Sequence, residues 1–289
     1  MLEMLINPKR AERHSWEMFF VGLFYASISI LLVNWIFAQD VVLAKYSGIL
    51  VVTFTVMFSM PFMYYTIKLE EEKDVADGGK IGFFSLLKEH NKALKSLLWL
   101  FLGFIVAFSF LYILLSGSAS SFRAQIETYC AINRPANFDE CISQYGIEAK
   151  GKVTAFLSAK DKLVAIFANN IYVLIFTLLF SLVFGAGAIF VLAWNASVIA
   201  AAVGIFSKSS LYNLPLGIAR YMVHGVPEIA AYFIGALAGG IVSVAVIRHD
   251  TKSEKFWSIL QDSLNLVILA VVVLFIAALI EVFITPALF

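Results

Sequence analysis

The sequence predicts an all-α fold, a polytopic transmembrane helical bundle with about seven spans. Its 289 residues are 61% hydrophobic and 14% charged, and the mean hydropathy is +0.88. Soluble domains carry about 25% charged residues, so this composition indicates a membrane protein whose main partner is the lipid bilayer. The net charge of +1 gives no basic surface, and we therefore expect no nucleic-acid partner.

Seven apolar stretches are candidates to cross the bilayer, which takes about 20 helical residues. We place the spans at residues 18–38, 42–67, 96–115, 169–184, 187–206, 222–247 and 264–284. The stretch 169–206 is too long for one span, and Gly185 and Gly187 near its middle favour a sharp reversal between two. Residues 81–95 mix aromatic and leucine residues with lysines, which predicts an interfacial helix before the third span.

Lysine and arginine residues near the span ends set the predicted orientation. Counting seven spans, the basic residues of 9–13, 68–95 and 248–255 all fall on one side of the membrane. We therefore expect the N-terminus inside and the C-terminus outside, in a plasma membrane. Segment 116–162, the only sizeable aqueous stretch, then lies outside.

Both cysteines, Cys130 and Cys141, belong to this outer segment. Because an extracellular location favours disulfides, we expect the two to be joined. Two free thiols are the alternative that the sequence leaves open.

Polar residues from three predicted spans fall at one depth near the outer surface, with one further residue nearer mid-membrane. These residues are Asn169, Asn170, Arg220, His224, Gly225, Glu228 and Glu281, with Asn195 as the deeper one. A histidine and a glutamate four residues apart share one helix face. An ionisable group inside a span costs roughly 2.5–3.5 kcal/mol, so we expect these groups to have partners.

Each member of this cluster also has a purely structural interpretation. Pro227 is tolerated in a first helical turn, and Glu228 would then be stabilised by the helix dipole and by Arg220. His224 would bond to a backbone carbonyl, and the two neighbouring asparagines would cap a helix. Asn195 would hydrogen-bond across helices.

A small-residue face on the predicted sixth span suits close helix packing, within the chain or between copies in a homo-oligomer. Its members are Ala230, Ala231, Gly235, Ala236, Ala238, Gly239 and Gly240.

The motifs of metalloproteases, nucleotide-binding loops and serine hydrolases do not occur in the sequence. His224 and Glu228 supply at most two metal ligands, and a third would have to be Glu281 or His90, the latter on the opposite side. An intramembrane acid–base pair would lack a nucleophile or orienting group. We therefore expect neither a metal, nor another cofactor, nor catalysis.

Four motifs together resemble the stage II sporulation protein M family over roughly residue 96 to the end. They are Asn169-Asn170, Asn195, His224-Gly225-x-x-Glu228 and the run Ile280-Glu281-Val282-Phe283-Ile284-Thr285-Pro286. The resemblance implies a five-span core at residues 96–289, with its extracellular loop at 116–162. Residues 1–95 would be a two-span extension with a charged cytoplasmic loop. Pro227 is a variation within the histidine motif.

This resemblance also implies a role. The founding member is a membrane component of a machine that has cell-wall-degrading partners and acts during engulfment in spore formers. The expected function is thus a non-enzymatic scaffold or membrane-remodelling component with membrane or extracellular protein partners. Many relatives occur in organisms that make no spores, archaea included. The alternative, based on the intramembrane Asn, His and Glu residues and the glycine-punctuated 169–206 pair, is a secondary transporter or channel.

Overall fold

In the computed structural model, seven helices of the described residues are long and apolar enough to cross a bilayer. The structure describes residues 8–37, 39–40, 42–77, 83–115, 121–133, 137–147, 159–184, 189–207, 210–248 and 254–289. The helices are α1 (Pro8–Arg13), α2 (Glu17–Phe37), α3 (Ser47–Asp77), α4 (Phe83–Leu114), α5 (Arg123–Asn133), α6 (Phe138–Ser143), α7 (Ala159–Phe184), α8 (Ile189–Phe206), α9 (Leu214–Arg248), α10 (Glu254–Leu279) and α11 (Thr285–Leu288). A π-helical turn, Ile280–Ile284, joins the last two.

The prediction of two helices between residues 169 and 206 is confirmed, because α7 and α8 divide this stretch. Gly185 and Gly187, the predicted reversal, lie outside the described residues. The predicted starts of the fourth and sixth spans were too late, since α7 begins at Ala159 and α9 at Leu214. Amphipathic and charged turns continue these helices beyond the apolar runs that hydropathy detects.

The charged segment 68–95 is less loop-like than the sequence indicates. Helix α3 continues to Asp77, and α4 runs unbroken from Phe83 to Leu114. The helix predicted before the third span is therefore continuous with that span. His90, Ala93 and Leu97 of α4 are completely buried within the protein.

The first two spans pack tightly onto the rest of the bundle. Gly22 of α2 and Gly103 of α4 face each other, and a Cβ on either would overlap the opposite backbone, at Leu100 O or Phe19 O. Two glycines thus allow the helix backbones to touch. Nearby, Ser96 Oγ donates to Ala11 O (2.9 Å), which holds α1 across one end of α4.

Before α7 begins, the described residues of segment 116–162 include α5 and α6, and α5 packs against the helical bundle. Phe122, Ile126 and Cys130 are buried, and the Phe122 ring packs against Phe108 and Tyr112 of α4, while α5 contacts α3 and α8. Gln125 is fully buried, and its Nε2 donates to Gly48 O (3.0 Å) and Ser197 Oγ (3.1 Å). We call residues 121–147 the cap, and its end of the bundle the cap side.

A disulfide joins Cys130 of α5 to Cys141 of α6, with a Cα–Cα distance of 5.8 Å. It closes the cap on itself, since the two residues are 11 apart in the chain.

Helix α9 is the centre of the bundle, and α7 and α10 form its edge. Of the membrane-crossing segments, 72% of α9 is buried within the protein, against 17% of α7 and 22% of α10. The small-residue face of α9 is used inside the chain. A Cβ on Gly239 would lie 2.6 Å from Leu178 O, and Ser181 Oγ donates to Ala236 O (2.6 Å), both contacts being with α7. This face is therefore not available to a second copy.

Candidate functional site

The candidate site lies where α7, α9 and the π-helical turn meet near the cap side. Helix α9 begins at Leu214, so Pro227 and Glu228 lie in its interior rather than in a first turn. The predicted helix-start interpretation of Glu228 is therefore wrong, and the helix dipole does not account for this carboxyl group. Proline has no backbone N–H, so Pro227 leaves the Val223 carbonyl without its usual helical donor.

Glu228 is held by an amide from the neighbouring helix. Asn170 Nδ2 donates to Glu228 Oε1 over 2.7 Å, and Asn170 is buried. Because α7 starts at Ala159, Asn170 lies a full three turns inside the helix. The capping interpretation of the two asparagines is thus wrong, and the buried one joins α7 to α9.

Glu281 completes a pair of carboxyl groups. It lies in the π-helical turn, and its side chain shares a hydrogen bond with that of Glu228. Insertion of one extra residue into a helical turn rotates the following side chains, and such turns are frequent at functional sites. The π-helical turn begins at Ile280, one residue before Glu281. The turn therefore sets the direction of the Glu281 side chain, toward α9.

His224 lies one turn before Glu228 and contacts the residue after the π-helical turn. Its Nδ1 is 3.2 Å from Thr285 Oγ1, and Thr285 Oγ1 donates to Ile280 O (3.2 Å). The ring of Tyr221 packs edge-on against the imidazole, with centroids 6.3 Å apart. A hydrogen bond between the Tyr221 and Tyr129 side chains links this group to the cap.

Arg220 does not pair with either carboxyl group, contrary to expectation. Its Nη1 donates to the backbone oxygen of Phe289 (3.3 Å), and its guanidinium lies 5.0 Å from the centre of the Phe206 ring. Arginine prefers such planar stacking where an aromatic ring is within reach.

Three other predicted members lie apart from the carboxyl pair. Asn195 Nδ2 donates to Val191 O (2.7 Å) of its own helix, so the expected bond across helices is wrong. Asn169 is exposed, and its Nδ2 is 3.5 Å from Asn170 Oδ1. Gly225 is buried, and a Cβ there would lie 3.2 Å from Met222 Cε and 3.8 Å from Ile199 Cδ1. The site proper therefore consists of Asn170, Glu228 and Glu281, with His224 and Thr285 beside it.

The chemistry of this arrangement concerns a proton. Two neighbouring carboxyl groups can hold one proton between them, because a protonated carboxyl group donates a hydrogen bond and an ionised one accepts it. The Asn170 amide donates to Glu228 Oε1. Among the residues that the structure describes, no three His, Cys, Asp or Glu side chains converge as metal ligands.

Two buried polar contacts were missed by sequence reasoning. Glu70 of α3 and His90 of α4 are fully buried, and their Oε2 and Nδ1 atoms are 2.6 Å apart at the end of the bundle away from the cap. Gln125 of the cap joins α3 and α8. No spacing rule relates residues on separate helices. For Glu70 and His90 the only signal in the sequence was an ionisable residue just after the second predicted span and another just before the third.

Comparison with known proteins identifies the family. The family model of stage II sporulation protein M matches residues 96–286, about two thirds of the chain. An uncharacterized protein of the archaeon Methanocaldococcus jannaschii is 32% identical over 127 residues, which cover 42% of this chain and 70% of the relative. No solved structure matches the chain. The matched region includes the whole of α7, α8 and α9 and the π-helical turn, and the chain belongs to the stage II sporulation protein M family.

Proposed function

We propose that this membrane protein is a non-enzymatic scaffold, or a membrane-remodelling component, of a complex in the plasma membrane. The observation that carries this proposal is that several polar groups inside the bundle bind one helix to another. Asn170 binds Glu228, His224 contacts Thr285, and Gln125 joins three helices through its amide. Such contacts give a rigid body, which a scaffold needs, and any wall-degrading activity belongs to a partner.

The cap is the proposed contact for partners outside the membrane. Gln125 anchors the cap to α3 and α8, and the disulfide closes it. Asn137, Glu140 and Gln144 of the cap are exposed. A fixed surface loses little conformational entropy on binding, which favours recognition by a partner protein. Association of several copies is a further part of this proposal.

Crosslinking in native membranes, followed by purification of the full-length chain, tests the scaffold. We expect a reproducible protein partner with a domain on the cap side. Glu140→Lys with Gln144→Arg should abolish its recovery at unchanged thermal stability. Lys92→Glu, an exposed change at the other end of the bundle, should leave recovery intact. Recovery of the solitary chain from wild-type membranes would contradict the scaffold.

The carboxyl pair favours one second candidate, a proton-linked transporter. Two carboxyl groups on adjacent membrane-crossing segments, next to a proline and a π-helical turn, resemble the discontinuous helices of transporters. Proteoliposomes containing a pH-sensitive dye test this candidate. Proton flux that is lost in Glu228→Gln and Glu281→Gln but kept in Asn195→Ala would support transport. Flux equal to that of empty liposomes would exclude it.

A further inference from the structure

Helix α7 presents a continuous exposed face on the outside of the bundle. Its buried side, which includes Asn170, Leu174 and Thr177, packs on α9, and the opposite side is exposed over the whole span. The exposed face includes Ala165, Ala168, Asn169, Tyr172, Phe176 and Leu179. Most of it is apolar, as a lipid-facing surface should be, but Asn169 and Tyr172 are not.

In a helix that crosses the bilayer, the positions of these two polar side chains fall within the hydrocarbon region. At 1.5 Å per residue, Asn169 is about 14 Å from Lys160 and about 22 Å from Phe184 along the helix. Tyr172 is near the middle, about 18 Å from either end. Since the hydrocarbon core is about 30 Å thick, both residues lie inside it whichever end of α7 is set at the boundary. The side chain of Tyr172 is 72% exposed.

Lipid tails offer no hydrogen bonds to such groups. The Asn169 amide has two donor hydrogens and an acceptor oxygen, and its contact with Asn170 is a long one of 3.5 Å. A tyrosine is normally placed at the membrane interface, where its hydroxyl reaches water, rather than at mid-span. The exposed face therefore indicates a protein neighbour that supplies polar groups at this depth.

The flanking residues suit such a neighbour. Ala165 and Ala168 precede Asn169 on the same face, and small residues allow two membrane helices to approach closely. The glycine face of α9 is already occupied by α7. The α7 face thus combines small residues and an amide in a position that is open to a second molecule.

We propose that the exposed face of α7 is a homodimer interface, in which the Asn169 amides of two copies hydrogen-bond to each other. An amide is self-complementary, because its oxygen accepts what an identical group donates. Two copies inserted with the same topology are related by a two-fold axis along the membrane normal, which places identical residues at the same depth. A different protein would need its own polar group at that level.

This inference deepens the self-association that is part of the proposed function. It also gives the interface a link to the candidate site, since Asn169 contacts Asn170, the donor to Glu228. Partner recruitment through the cap and dimerisation through α7 use different surfaces. Failure of one can therefore be told apart from failure of the other.

Cysteine crosslinking in native membranes tests the interface. The described cysteines are joined in the disulfide, so Ala168→Cys adds a single reactive thiol on the α7 face. Mild oxidation should give a covalent dimer in Ala168→Cys. Val272→Cys is the matched control, because Val272 is exposed on α10, the other edge helix. Equal crosslinking of both variants, or none of Ala168→Cys, would overturn the proposal.

Particle mass in mild detergent gives an independent measurement. The wild-type chain should be a dimer, and Asn169→Leu should weaken dimerisation roughly threefold to tenfold, the range of interhelical hydrogen bonds in membranes. Asn169→Gln, which keeps an amide, should restore much of the association. A monomeric wild type, a complex with a different protein on this face, or an unaffected Asn169→Leu dimer would each overturn the proposal.

Discussion

Asn170 Nδ2 lies 2.7 Å from Glu228 Oε1, and this contact fastens α7 to the centre of the bundle one residue after Pro227. The same carboxyl group bonds to Glu281. Glu228 therefore has partners on two neighbouring elements, α7 and the π-helical turn, at the point where its own helix lacks a backbone donor. Loss of either partner should loosen the packing between α7, α9 and the π-helical turn that follows α10.

The first prediction concerns this amide. Asn170→Ala should lower the free energy of unfolding by about 1–3 kcal/mol, because the half-buried carboxyl group of Glu228 loses its donor. Thermal unfolding of the purified chain in detergent measures the change. Asn195→Ala is the control, since Asn195 bonds only within its own helix turn, and its effect should be clearly smaller. Equal losses of unfolding free energy in the two variants would show that the bond between helices contributes no more stability than a bond within one helix.

The second prediction concerns the contact between α2 and α4. Gly103→Ala places a methyl group against Phe19 O and the Leu23 backbone, so the helices must separate. We expect a loss of about 1–3 kcal/mol, as in other overpacked cores. Gly225→Ala should be neutral or stabilising, because the added methyl group meets the flexible end of Met222, makes an ordinary contact with Ile199 and improves helix propensity. A tolerated Gly103→Ala would contradict the close approach.

The third prediction concerns the cap disulfide. Replacing Cys130 and Cys141 by alanine should cost about 3 kcal/mol in the chain-entropy view of a short closed loop. The transition temperature of the wild type should fall when a reductant is added. The double variant should be insensitive to reductant, which separates disulfide loss from general damage. A wild type that is indifferent to reductant would speak against the bond.

The fourth prediction concerns the buried pair Glu70 and His90. His90→Leu should destabilise the bundle by about 1–3 kcal/mol, because a buried carboxyl group loses a hydrogen-bond partner. Glu70→Gln should cost less, since an amide still offers an oxygen at the same place. Limited proteolysis near the ends of α3 and α4 would report the loosening. Identical behaviour of the two variants would argue against a specific contact.

The fifth prediction is the orientation in the membrane. An impermeant maleimide applied to intact cells should label Gln144→Cys on the cap but not His14→Cys, both exposed positions. After cell lysis, both variants should be labelled. The reverse pattern would place the cap inside and would remove the proposed outer-side partners.

Hydropathy alone was sufficient for the seven helices and for two of them between residues 169 and 206. A helix needs about 20 apolar residues to cross the bilayer, and this requirement applies to each segment separately. Helix ends were predicted poorly, because α7 and α9 extend through polar turns that packing, not lipid, stabilises. For the same reason Pro227 was taken for a helix start.

The sequence also brought Asn170, His224, Glu228 and Glu281 to a common level, but it placed Asn170 and Glu228 at the starts of their helices, whereas both lie well inside α7 and α9. Which of them bond was not readable, because pairing depends on helix rotation and neighbour order. The structure turns Arg220 toward Phe206 and Phe289, turns Asn195 back on its own helix, and directs Glu281 to Glu228 through a π-helical turn. The sequence by itself determined whether each segment lies in lipid or in water, because that depends on the hydrophobicity of the segment alone. Only tertiary packing decided which side chains meet, because contacts between helices depend on residues far apart in the chain.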